Sequence, residues 1–289
     1  MAPNGGHPFF CLPLSLPSVS LFAPTLLPVD LPDGPAPTLW RIADVAGPGD
    51  AVRDVLVALP PGYAEQTTRY PVVYLQDGQN CFDPSTAFAR HWGLLEALAD
   101  VGSRRPAILV GIPNLGIERL QEYSPFDDVI RGPGDGAAYL RFVSETIKPL
   151  IDAAFRTRPG RESTAIAGSS MGGLLALYGL IAGAATFGAA WVMSPALWYA
   201  DAAIFGWLAK QPAPVGRIWL DAGVQEGLDE LLDARRMRDL LVARGWKLDD
   251  TLRYHEDPDG DHDEPSWGRR VREHWSTLIG MLAAPPTPR

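Results

Sequence analysis

Ser170 stands in the run Gly168-Ser169-Ser170-Met171-Gly172, directly after the apolar residues Thr164, Ala165, Ile166 and Ala167. The pattern Gly-x-Ser-x-Gly at the end of a strand-like run predicts a strand, a sharp turn and a helix, with the central serine at the turn. Small residues on either side let the helix pack closely, and the strained turn lifts the serine hydroxyl above the sheet edge. Such a hydroxyl becomes a nucleophile when a histidine takes its proton and a carboxylate holds that histidine in the right tautomer. The chemistry implied is attack on a carbonyl carbon and transfer of an acyl group.

Where serine turns of this kind act in catalysis, the partners follow in the order serine, acid, histidine. Three histidines lie after Ser170. His255 falls in or at the end of a strand-like run, and His274 sits in a helical stretch beside Val271, Trp275 and Leu278, which suggests packing. His262 lies in the loop Gly260-Asp261-His262-Asp263-Glu264-Pro265-Ser266-Trp267 after the last strand, where a base is best placed. The acid is expected between the strand-like Ile218-Trp219-Leu220-Asp221 and the helix that begins near Leu228. Asp221 and Glu226 both fit by spacing alone. Two backbone donors are needed for the oxyanion: the amide of Met171, and one from the turn Leu75-Gln76-Asp77-Gly78-Gln79-Asn80, where Gln79 can present its N–H.

Positioning these groups requires alternating strands and helices. Strand patterns cover residues 53–59, 71–75, 107–112, 163–167, 189–193, 218–221 and 251–255, and helical spacing covers 137–155, the stretch after the serine turn, 228–245 and 266–283. The alternation predicts an α/β architecture, and the Gly-x-Ser-x-Gly turn at a strand end, which marks the elbow of α/β-hydrolases, makes the expected fold three layers, a mostly parallel central sheet with helices on both faces. Residues 1–37 contain nine prolines and no Lys or Arg and read as a Pro-rich extension; residues 38–289 read as a single catalytic domain. Prolines 13, 17, 24 and 28 interrupt the apolar stretch and argue against a secretory signal or a membrane span.

The net charge of −9, with no basic block, argues against nucleic acid or an anionic membrane as partner, and a small neutral substrate is easier to accommodate. Cys11 and Cys81 are too few for a disulfide framework, and with no signal sequence they suit a reducing cytoplasm. The acidic stretch 255–264 lacks the spacing of a calcium loop, and there is no His-Glu-x-x-His for zinc, so no metal and no cofactor is expected. Three tryptophans near the catalytic loops, Trp92, Trp198 and Trp267, are candidates for the substrate pocket. His91 is better explained as a helix-start residue.

Tyr70–Pro84 (YPVVYLQDGQNCFDP), Glu122–Phe126 (EYSPF), Arg156–Leu180, Met193–Trp198 (MSPALW) and Gly260–Trp267 (GDHDEPSW) resemble the family named Putative esterase. That group includes esterase D, enterochelin-type esterases and bacterial feruloyl esterases, with the mycolyltransferases as relatives. The resemblance spans residues 50–283. It implies a serine esterase acting through an acyl-enzyme, with Ser170 as nucleophile and His262 as base. Its acid lies three residues beyond a strand-end glycine, which favours Glu226 over Asp221. It also implies an oxyanion hole at Gly78 and Gln79, although Asp77 stands where many relatives of this fold carry histidine. Siderophore lactones, feruloyl or acetyl sugars and simple esters are all within its range. The alternatives are an acyltransferase using the same three residues and a non-catalytic binding protein on the same fold.

Overall fold

The computed structural model describes residues 26–29, 37–49, 51–101, 104–212 and 214–282. Among the described residues nine strands form one sheet: β1 (Leu26–Val29), β2 (Thr38–Ala46), β3 (Val52–Leu59), β4 (Val72–Gln76), β5 (Ile108–Ile112), β6 (Thr164–Ser170), β7 (Ala189–Pro195), β8 (Arg217–Gly223) and β9 (Leu252–Asp257). Their order across the sheet is β1-β2-β3-β5-β4-β6-β7-β8-β9. The first four in that order pair antiparallel, and from β5 to β9 every pairing is parallel. The central parallel strands read as near-continuous apolar runs because helices cover both of their faces. β4 and β5 are buried at every position.

The helices are α1 (Leu94–Val101), α2 (Arg119–Tyr123), α3 (Gly136–Phe142), α4 (Lys148–Ala154), α5 (Met171–Ala182), α6 (Tyr199–Leu208), α7 (Leu228–Ala243) and α8 (Glu264–Gly280). The periodicity over 137–155 is realised as α3 and α4 joined by a π-helical turn, Val143–Ile147. Two apolar clusters flank the sheet. One packs α3 to α6 against residues such as Tyr74, Ile166 and Leu220, and the other packs α1 and α8 against Val73, Ala167 and Trp191. This is the three-layer α/β-hydrolase arrangement. The Pro-rich extension read at 1–37, with Cys11 in it, lies mostly outside the described residues; within it, residues 26–29 pair with β2. Among the described residues no helix is long and apolar enough to cross a membrane.

Several elements extend past their expected ends. β6 runs through Ser170 itself, and β8 continues two residues beyond Asp221 to Gly223. Asp221 therefore sits within a buried strand, not at its tip. The strand ends carry the site: β4, β6, β7 and β8 all finish at the same edge of the sheet, as in open parallel sheets generally.

Candidate active site

At the end of β6 the chain turns into α5 through Ser170, whose φ of 54° and ψ of −121° are unfavourable for a side-chain-bearing residue. Strain of this kind costs on the order of 1–3 kcal/mol and persists only where the surroundings impose it. Close packing of the helix onto the strand imposes it here: a Cβ on Gly168 would stand 2.6 Å from the Gly172 carbonyl carbon. Met171 follows as the first residue of α5, so its N–H belongs to the helix-start donors that have no partner within the helix.

On β8 the chain leaves Gly223 in a short 3-10 turn, Val224–Glu226, which brings Glu226 back under the strand end. Glu226 Oε2 lies 2.9 Å from His262 Nδ1. Its other oxygen, Oε1, accepts from the Gly223 N–H at 2.6 Å, from Ser194 Oγ at 2.5 Å and from Arg270 Nη2 at 3.1 Å. Burial alone would push the Glu226 carboxyl up; the hydrogen bonds from His262, Ser194 and Gly223 and the Arg270 charge outweigh it and hold the group below the usual carboxylate range. The Glu226 side chain is almost fully buried while His262 is 40% exposed, so the imidazole is anchored on one nitrogen and open on the other. Asp263 caps α8 by accepting the Ser266 N–H at 3.0 Å, which fixes the loop that carries His262.

Asp221, the other candidate acid, faces away from His262 into the interior. Its carboxylate pairs with the guanidinium of Arg270 and accepts from Trp219 Nε1 at 2.7 Å and from the Ser194 N–H at 3.2 Å. Burial drives its proton affinity up and Arg270 opposes that rise.

After β4, Asp77 adopts a left-handed conformation with φ 55°. Its carboxylate is gripped by Arg119 through two bonds of 2.7 Å and by Asn114 Nδ2 at 2.6 Å, and its N–H donates to Tyr123 Oη at 3.0 Å. The Asn80 and Cys81 amides bond back to Asp77 and Gly78, leaving those of Gly78 and Gln79 as the turn's remaining donors. Gln79 is held at both ends, its Oε1 accepting from Asn114 N and its carbonyl from Thr86 Oγ1.

Ser170, His262, Gln79, Trp92 and Trp267 line one cavity of about 800 Å³, together with Asp77, Phe88, Asn114, Ile117 and Arg119. No hydrogen bond joins Ser170 Oγ to His262 among the described residues; this contact is commonly loose before substrate binds. Trp267 meets the His262 ring edge to face at 5.1 Å and packs on Trp92 at 5.8 Å. Trp198 does not line this cavity; it is half exposed, with Arg131 over its ring. His91 accepts from the Gly93 N–H and lines a neighbouring cavity across Trp92. Among the described residues no group of three or more His, Cys, Asp and Glu is arranged to hold a metal ion.

A strained serine at a strand-to-helix turn thus shares a cavity with a carboxylate-anchored histidine. The model of the Putative esterase family matches residues 50–278. The chain belongs to that family. It is an ester-hydrolysing enzyme, similar to the uncharacterised protein YbbA of Bacillus subtilis, with 27% identity over 185 residues that cover 62% of this chain and 71% of YbbA. Its fold matches that of the BES protein from Bacillus cereus with a TM-score of 0.65 at 19% identity, over 86% of this chain and 95% of that one. It likewise matches the enterobactin esterase FES from Shigella flexneri with a TM-score of 0.66 at 19% identity, over 90% of this chain but 61% of that one.

In this esterase the residues that sequence reasoning missed are Asn114 and Arg119, which hold Asp77 beside the Gly78 turn, Ser194 beside Glu226, and Arg270 beneath it. One signal was available: Trp267 and Arg270 are three residues apart on α8 and so share a helix face that looks back at the His262 loop. The others depend on contacts across 32 to 42 residues that no local pattern carries.

Proposed function

We propose that this chain is a serine carboxylic-ester hydrolase working through an acyl-enzyme. Ser170 Oγ attacks the ester carbonyl as His262 Nε2 takes its proton; Glu226 holds the imidazole by Nδ1 and stabilises its charged form. The amides of Met171 and Gln79 receive the oxyanion. His262 then returns the proton to the leaving alcohol, and a water activated by the same nitrogen releases the acid. The observation that carries this reading is the 2.9 Å contact between His262 and a deeply anchored Glu226, with His262 and Ser170 opening into one cavity.

The cavity walls favour an ester with a bulky apolar or aromatic part. Phe88 and Ile117 stand at its mouth, 94% and 91% exposed, with Trp92 and Trp267 behind them. The fold shared with an enterobactin esterase supports esters of the siderophore kind among the candidates. Replacing Ser170→Ala is expected to lower hydrolysis of a short-chain nitrophenyl ester by at least about 10³-fold, and a fluorophosphonate should label Ser170 in the parent chain and nothing in the variant. Full activity in S170A would overturn the reading.

A further inference from the structure

We infer that Ser194 and Arg270 are positioning residues that fix the orientation and charge of Glu226, making the acid one member of a buried relay of Asp221, Arg270, Ser194, Glu226 and His262. The inference rests on the triad proposed above and concerns what stands behind it.

The backbone is distorted to supply Ser194. In the parallel pairing of β6 with β7, Ser169 faces Met193 and Ser170 faces Pro195, so Ser194 is the extra residue of a bulge. Bulges beside active sites re-aim a side chain. Ser194 has φ 38°, and its N–H leaves the ladder to bond Asp221. The bulge lies directly across from the nucleophile.

The direction of the Ser194 hydroxyl proton follows from its neighbours. Its oxygen receives Trp267 Nε1 at 2.9 Å and Arg270 Nη1 at 3.1 Å. Indole and guanidinium nitrogens can only donate, so the hydroxyl hydrogen must go to the remaining neighbour, Glu226 Oε1 at 2.5 Å. An acceptor is thereby required at Oε1, which favours the ionised carboxylate.

Arg270 supplies the charge. It is wholly buried, and its Nη groups donate to Asp221, Ser194, Glu226 and the Asp261 carbonyl, while Nε lies 3.2 Å from Asp257. The groups that face Glu226 or its guanidinium partner are thus His262 from the 258–263 loop, Asp221 from β8, Asp257 from β9 and Arg270 from α8, with Arg269 binding the outer side of Asp257. Three carboxylates converge on one buried cation. Without that cation three buried carboxylates would face one another with their charges uncompensated.

The test is the pH dependence of kcat/KM for Ser194→Ala, Arg270→Lys and Arg270→Met, with Glu226→Gln as reference. S194A removes one hydrogen bond to a charged group and should lower kcat about 10-fold, leave KM within about twofold, and move the acid limb to higher pH because a less well solvated Glu226 binds the imidazolium more tightly. R270M should move the limb further, and R270K, which keeps the charge, should restore most of the limb without restoring kcat. If R270M does not fold, S194A and R270K against the parent carry the comparison. An S194A profile that superimposes on the parent, or an R270K limb displaced as far as that of R270M, would overturn the inference while a crippled E226Q left the triad standing. Full activity in E226Q would instead remove the triad and this inference with it.

Discussion

At Gly78 a methyl group would stand 2.3 Å from the Gly111 carbonyl carbon and 2.4 Å from the Ile112 nitrogen, both of them backbone atoms that cannot swing aside. The turn after β4 can lie against β5 only because this residue has no side chain. Gly78→Ala is therefore expected to push the turn outward, costing about 1–3 kcal/mol of stability by overpacking. Displacing an oxyanion donor should also lower kcat by about 10²–10³-fold with little change in KM. Thermal unfolding together with steady-state kinetics separates the two effects; unchanged kcat would mean that the 78–79 amides do not meet the oxyanion. At this scale the strained turn at Ser170 was legible because it is local, with Gly168 and Gly172, whose close approach shapes it, within two positions of the serine. The choice between Glu226 and Asp221 was not legible by spacing, since both sit on the right segment. What separates them is direction, since both carboxylates are buried: Asp221 points inward to Arg270 and Trp219, and Glu226 returns under the strand end to His262.

β9 and α8 bracket the loop that carries His262, and they meet through a stack of rings. His255 on β9 lies 4.5 Å from His274 on α8, and Trp219 on β8 lies 4.7 Å from His274. Burial, and then the neighbouring His255, hold His274 below the ordinary histidine range. A histidine that resists protonation when folded costs nothing while both states are neutral. As pH falls through about 6.5 the unfolded chain takes up a proton that the folded chain refuses, so stability is lost toward acid pH. His274→Asn should accordingly lose less Tm than the parent between pH 7.5 and 5.0, measured by thermal unfolding at both values. An equal or greater loss would show that the stack does not govern this junction. These two elements were read from their periodicity almost to their ends. β2 was not: Arg41 and Asp44 interrupt its apolar alternation, and its register with β3 shifts between Ile42 and Val45. α6 was missed because its residues lack the apolar and polar alternation that marks a surface helix.

Over the whole molecule the alternation of strands and helices made the three-layer architecture legible, but strand order across the sheet is set by long-range packing and no segment of sequence states it. The charge balance is legible without any fold. With 25 basic and 34 acidic residues the net charge of −9 produces a field that opposes the approach of an anionic ester. The arginines near the cavity do little to offset it, because Arg119 is closed on Asp77 and Arg90 reaches Asp263. At about 0.01 M salt the field extends roughly 30 Å and at about 0.1 M roughly 10 Å. For a nitrophenyl ester bearing a free carboxylate, kcat/KM should therefore rise a few-fold across that range, while the matched neutral ester should stay flat and a quaternary-ammonium ester should fall. The opposite slope for the carboxylate ester would mean that Arg119 or Arg90 opens toward the bound substrate and overrides the global field, and it would move the expected substrate from a neutral ester to an anionic one.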